Sequence, residues 1–122
     1  MMITLKGTPP SLNKFAGRLN TWDYRSEKEH WTAAVYIAAQ NEMRRSGARK
    51  KPPELARVEI SYYFPDRKRR DPDNYAGKFL LDGLTKAGAI MDDDFRHIQL
   101  SVEGHCDKDR PRTIIKVTEI RR

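Results

Sequence analysis

Two short stretches crowd carboxylates together: Arg69-Arg70-Asp71-Pro72-Asp73-Asn74 and, further on, Asp92-Asp93-Asp94. Pro72 disfavours helical geometry at Asp71 and pushes it toward the extended region. In an extended chain, residues i and i+2 point to the same side. Asp71 and Asp73 are therefore expected to face one way, and their repulsion is relieved by a cation between them. Hard oxygen donors suit Mg²⁺, with Mn²⁺ as a substitute, and Mg²⁺ commonly completes its shell with phosphate oxygens and water. The same residue types serve a turn and a helix N-cap, so a cap without a metal stands beside the metal reading. Asp92-Asp93-Asp94 taken alone reads as a solvated turn. Arg67-Lys68-Arg69-Arg70 runs directly into Asp71, an arrangement suited to holding a phosphate backbone beside a metal. Lys78 could reach the acidic cluster and a phosphate, or pair with Asp82 at i+4.

Other chemistries fit less well. An EF-hand loop counted from Asp71 would need Gly and Glu where Ala76 and Asp82 stand. His30, His97, His105 and Cys106 match no zinc-ligand spacing. No nucleophile-elbow motif is present.

The elements that must position these groups can be read from periodicity. Residues 2–6 form a short strand stopped by Gly7-Thr8-Pro9-Pro10-Ser11, and 11–24 are irregular, with Asn13, Lys14 and Arg18 available to a ligand. A helix is expected from Ser26, as N-cap, to Arg45, with Trp31, Ala34, Val35, Ala38 and Met43 on its apolar face and Gly47 beyond its end. Val58, Ile60, Tyr62 and Phe64 alternate with polar or half-polar residues in a strand closed by Pro65. A second helix is expected over 74–87, capped by Asp71 or Asp73 and stopped by Gly88, with Leu80, Leu84 and Ala87 facing the core and Tyr75 or Phe79 near the seam. Strands over 96–104 and 112–120 follow, joined as a hairpin through 105–111. The expected fold is α+β: a small mixed sheet of about four strands covered by two main helices, as one domain over 1–122.

The chain has 122 residues, about two thirds of whose unfolded surface folding could bury, which is one core's worth. That excludes a two-domain enzyme with its own nucleotide fold, and with it a sugar transferase built on a DxD pair. Lys and Arg number 24 against 17 Asp and Glu, a net charge of +7 that favours polyanionic partners. Two further basic clusters, Arg44-Arg45 with Arg49-Lys50-Lys51 and the terminal Arg121-Arg122, also read as solvated helix ends and tail. The lone Cys106 excludes an internal disulfide and fits a cytoplasmic protein. Neither a signal-peptide core nor a membrane-spanning apolar run is visible.

At these residues the chain resembles the RusA family of Holliday junction resolvases. Pro9-Pro10-Ser11-Leu12-Asn13 is similar to the family's Pro-Ser-x-Asn opening, and Phe64-Pro65-Asp66, the basic run and Asp71-x-Asp73-Asn74 to its central motif. Lys78, Leu81-Asp82-Gly83-Leu84 and Asp92-Asp93 continue in family order, and Thr113–Ile120 resembles its final strand. The resemblance implies a Mg²⁺-dependent endodeoxyribonuclease that resolves four-way junction DNA by paired nicking in recombination and repair, acting as a homodimer without an organic cofactor. It places metal-binding, catalytic aspartates at Asp71, Asp73 and Asp93, with Asp92 or Asp94 as alternatives to the last, and a catalytic lysine at Lys78. Lys14, Arg67, Lys68, Arg69 and Arg70 would contact DNA. Three residues separate Asn74 from Lys78, one more than the family pattern. Such an insertion rotates a following helix by about 100° unless Gly77 absorbs it. The competing functions are a non-catalytic nucleic-acid-binding module and a nuclease for another branched DNA.

Overall fold

The computed structural model describes residues 1–15, 21–47 and 51–121; Arg18, Arg49, Lys50 and Arg122 lie outside them. Strand β1 (Met2–Lys6) leads to a 3-10 turn (Leu12–Phe15) and the long helix α1 (Thr21–Ser46). Strand β2 (Ala56–Phe64), a second 3-10 turn (Pro72–Tyr75), helix α2 (Leu81–Ala87) and strands β3 (Ile98–Cys106) and β4 (Arg112–Glu119) complete the order. The four strands make one mixed sheet in the spatial order β1-β4-β2-β3. β2 runs parallel to β3, while β4 is antiparallel to both β1 and β2. This is the expected α+β domain. Among the described residues no helix is long and apolar enough to cross a membrane.

The alternation read in β2 holds: Ala56, Val58, Ile60, Tyr62 and Phe64 are buried and the residues between them are more open. Trp31, Val35 and Ala39 of α1 join this core, with Ala34, Ala38 and Met43 packed at its edge. Phe79, Leu80, Leu84 and Ala87 bury as expected, and Ile90 with them. Each fully buried Leu, Ile or Val contributes about 1.5–3 kcal/mol relative to exposure. The helices meet very closely at Gly83, where a Cβ atom would stand 2.7 Å from the Thr32 carbonyl oxygen and 2.7 Å from Val35 Cβ.

Three expectations are corrected. First, β3 and β4 do not form a hairpin, because β2 lies between them. Their connection instead crosses the C-terminal end of β2, stitched by Asp107. The Asp107 N–H donates to the Phe64 carbonyl at 2.8 Å, and its carboxylate accepts from the Asp109 and Arg110 N–H groups and the Arg112 guanidinium. The Arg112 bond, followed by the backbone donors, holds the Asp107 carboxyl below the usual carboxylate range.

Second, no continuous helix spans 74–87. The 3-10 turn ends at Tyr75, and Gly77 takes a left-handed φ of +99° that other residues rarely adopt. The Leu80 and Leu81 N–H groups both donate to the Gly77 carbonyl, and α2 starts only there. Gly88, at φ +80°, closes it as expected, donating to the Leu84 and Thr85 carbonyls. Third, α1 begins at Thr21, so Ser26 is an exposed interior residue rather than a cap. Asp23 lies in the first turn, where a negative charge complements the helix dipole.

Candidate metal centre and nucleic-acid interface

The loop leaving β2 is braced from within. The Asp66 carboxylate accepts from the Lys68 N–H at 3.1 Å and pairs with the Arg70 guanidinium at 2.8 Å. These partners, Arg70 first, hold the Asp66 carboxyl below its ordinary range. Arg70 lies 4.3 Å over the Phe64 ring and donates to the Asp66 and Lys68 carbonyls. Arg70 is thus largely engaged with its own loop. Arg67 and Lys68 are exposed, as is Arg69, whose side chain is 90% accessible.

Asp71 adopts φ −100° and ψ 136°, the extended geometry that Pro72 demands. It occupies the N-cap position of the second 3-10 turn, yet its carboxylate makes no capping hydrogen bond. Its oxygen instead meets the Arg69 Nε at 3.4 Å. A helix-capping role therefore does not account for this side chain. Beyond Asp71 the extended geometry stops, since Pro72–Tyr75 is helical, so the i, i+2 argument does not carry over to Asp73. Asp71 and Asp73 are both exposed.

Lys14 enters from the first 3-10 turn, which packs against the second. An aromatic trio anchors that turn: Phe15 lies 5.5 Å from Tyr24 and 6.2 Å from Phe79, with Tyr24 and Phe79 5.6 Å apart. Lys78 occupies the exposed turn just before α2 rather than a helix face. The i+4 pairing with Asp82 does not form; Asp82 is held by Lys28 of α1 at 3.1 Å. Buried Tyr62 helps fix the preceding residue, for the Gly77 backbone hydrogen-bonds its phenol, while burial pushes that phenol above its ordinary range.

The second acidic segment is organised differently. Asp92 accepts from the Asp93 N–H at 2.8 Å, and the Asp94 carboxylate bonds the His97 Nδ1. The Asp94 carbonyl also accepts from the His97 and Ile98 N–H groups at 3.1 Å, which closes the turn into β3. Ligand atoms of Asp92, Asp94 and His97 lie within 4.8 Å of one another, the one such group of three among the described residues. Asp71, Asp73 and Asp93 are not part of it. The His97 hydrogen bond holds the Asp94 carboxyl below its usual range. Asp93 moves the other way: partial burial, then the Asp92 hydrogen bond and the negative charges of Asp92 and Asp82, raise it. His97 had no place in the expected ligand set. Its i+3 spacing from Asp94 was the available signal.

The register separates parts of this surface. β3 begins with Ile98 opposite Ala56 and reaches Gly104 opposite Tyr62. Six residues of strand put these points about 20 Å apart. Asp71 shares a cavity with Gly104, whereas His97 adjoins Ile98.

The chain matches no known protein-family model and no curated protein.

Proposed function

We propose that this protein is a divalent-metal-dependent, structure-specific endodeoxyribonuclease that acts on four-way junction DNA in the cytoplasm. The observation that carries the reading is Asp71: an exposed carboxylate at an N-cap position, free of any capping bond, closing a basic run whose Arg67, Lys68 and Arg69 are exposed. Its place in the ordered series Asp71-x-Asp73-Asn74, Lys78, Asp82, Asp93 gives that carboxylate a chemical role.

The donor chemistry fits Mg²⁺ or Mn²⁺. Asp71 and Asp73 offer exposed hard oxygen donors. Asp93, the third acid that the resemblance implies, is not gathered with Asp71 and Asp73; those two would hold the ion. Bound there, it supplies Lewis-acid polarisation of the phosphate and a nucleophilic water at neutral pH. Lys78 offsets negative charge developing on the scissile phosphate. Arg67, Lys68 and Arg69 hold neighbouring phosphates, and Arg70, braced on Phe64 and Asp66, fixes the loop that presents them. Lys14 adds a cation from the adjoining turn. A junction is two-fold symmetric and needs two nicks, which a C₂ homodimer delivers.

A second arrangement of the same function places the ion at Asp92, Asp94 and His97, favoured by the gathering of their ligand atoms. Mn²⁺ titration separates the two: Asp71→Asn with Asp73→Asn weakens binding in the first case, Asp92→Asn with His97→Ala in the second. Nicking of a mobile junction, a duplex and a flap in Mg²⁺ tests the function. Preferred, paired nicking of the junction is expected. A preference for the flap would redirect the substrate assignment, and DNA binding with no nicking in any divalent ion would leave a binding module.

A further inference from the structure

Beside Asp71, the second 3-10 turn and the end of β3 enclose a cavity of about 260 Å³. Its walls are aromatic. Tyr75 meets Phe64 edge-on at 5.0 Å and Tyr62 at 5.5 Å, while Tyr62 and Phe64 stack at 5.8 Å. Arg70 and Asp71 stand among its polar lining, and Gly104 contributes no side chain. Pockets for drug-sized ligands run to about 300–1,000 Å³, so this one suits a single heterocycle rather than a longer ligand.

We infer that this cavity accepts an unstacked nucleobase from the DNA strand held at Asp71, and so selects where along a strand the nick falls. The inference rests on the nuclease reading and adds to it a specificity-determining pocket. Three features select a nucleobase as occupant. The exposed cations Arg67, Lys68 and Arg69 on the loop entering the turn attract the phosphates of a strand. A base is joined to its phosphate through one sugar, so a strand gripped there brings its bases to the cavity. Tyr62 and Phe64 are themselves buried, so half-buried Tyr75 is the ring left to contact a base, a stacking contact being worth about 1–3 kcal/mol. Arg70 over Phe64 and the Glu103 carboxylate in the lining contribute a donor and an acceptor with which base edges can be distinguished.

Gly104 makes the idea testable. A Cβ added there meets only Phe64 Cε2, at 3.5 Å, an ordinary contact. Gly104→Val therefore adds side-chain volume to the cavity lining, its Cβ meeting no backbone, and valine suits a strand better than glycine. The experiment maps nicks on mobile junctions whose nucleotides flanking the cut are varied, comparing wild type with Gly104→Val and checking both for equal melting temperatures. Wild type is expected to favour one base at one flanking position by about tenfold, the scale of one hydrogen-bonded base-edge contact. In Gly104→Val, nicking persists while that preference flattens. An abasic nucleotide at the favoured position should lower wild-type nicking by a similar factor, which checks the pocket without any mutation. Full base preference in Gly104→Val, or an abasic substitution without effect on wild type, overturns the pocket while leaving the nuclease in place. Absence of nicking on every DNA by wild type overturns the nuclease reading, and the pocket falls with it.

Discussion

Replacing Gly83 by alanine sets two opposing effects against each other at the contact between the helices. In an exposed helix interior the change favours folding by about 1 kcal/mol, because alanine loses less backbone freedom. At Gly83 the added methyl would stand 2.7 Å from the Thr32 carbonyl oxygen, 2.7 Å from Val35 Cβ and 2.9 Å from Val35 Cγ1. The carbonyl belongs to the α1 backbone and Val35 is fully buried, so neither can swing aside. Forcing extra volume into such packing costs about 1–3 kcal/mol, occasionally more. With a carbonyl and a β-branched side chain both in the way, the upper end applies, leaving a net loss of about 2 kcal/mol after the helical gain. For a domain of this size that corresponds to a Tm lower by about 6–10 °C. Urea unfolding followed by circular dichroism should show a lower midpoint with an unchanged m-value. Because Asp82 precedes Gly83 and pairs with Lys28, the displacement should also weaken that ion pair. A Gly83→Ala protein as stable as wild type, or more so, would refute the claim that this helix pair is packed at backbone distance.

Three other expectations concern the loops. Asp71→Asn should abolish nicking in Mg²⁺ while leaving the melting temperature within about 1–2 °C, because the carboxylate caps nothing; a large stability loss would return it to a structural role. Asp107→Asn should flatten the acid limb of the stability–pH curve. The Asp107 carboxyl lies below its ordinary range, so its contribution is complete above that range and is lost as pH falls through its folded-state value; the melting-temperature gap between variant and wild type should therefore narrow on acidification. Arg69→Ala and Arg70→Ala should differ: the first lowers DNA affinity and the salt dependence of binding with little change in stability, whereas the second also destabilises the fold through loss of its Phe64 and Asp66 contacts. Equal melting temperatures for the two would argue against the bracing role.

Much of the fold was legible because burial repeats along the chain. The two-residue alternation of β2 named Val58, Ile60, Tyr62 and Phe64 directly, and the three- and four-residue spacing on α1 named Trp31 and Val35. Sheet order was not legible, since nothing in the alternating residues of β3 and β4 says that β2 intervenes; that information lies in the Asp107 loop, whose hydrogen bonds need the folded partner strand. The apolar spacing over 74–87 does not reveal that Gly77, named only as a residue able to absorb an insertion, takes the left-handed conformation that interrupts the helix. Of the candidate site, the extended geometry of Asp71 followed from Pro72 alone. The surroundings of Asp73 did not, because local helical geometry overrode the extended pattern. Asp82 paired across the fold with Lys28 instead of along the chain, a long-range choice invisible to i, i+4 spacing.

The placement of β4 has a consequence for how the molecule comes together. This strand, near the far end of the sequence, is the one that joins β1 to the rest of the sheet, and the Met1 carbonyl accepts from the Val117 N–H at 2.8 Å. Until it docks, the opening segment has no ladder to enter and one flank of β2 stays unsatisfied. Assembly must therefore wait for a closure between distant parts of the polypeptide, which is slow compared with local helix formation. Proteolytic clipping just before Arg112 would strip away the keystone and cast β1 adrift, whatever the helices retained.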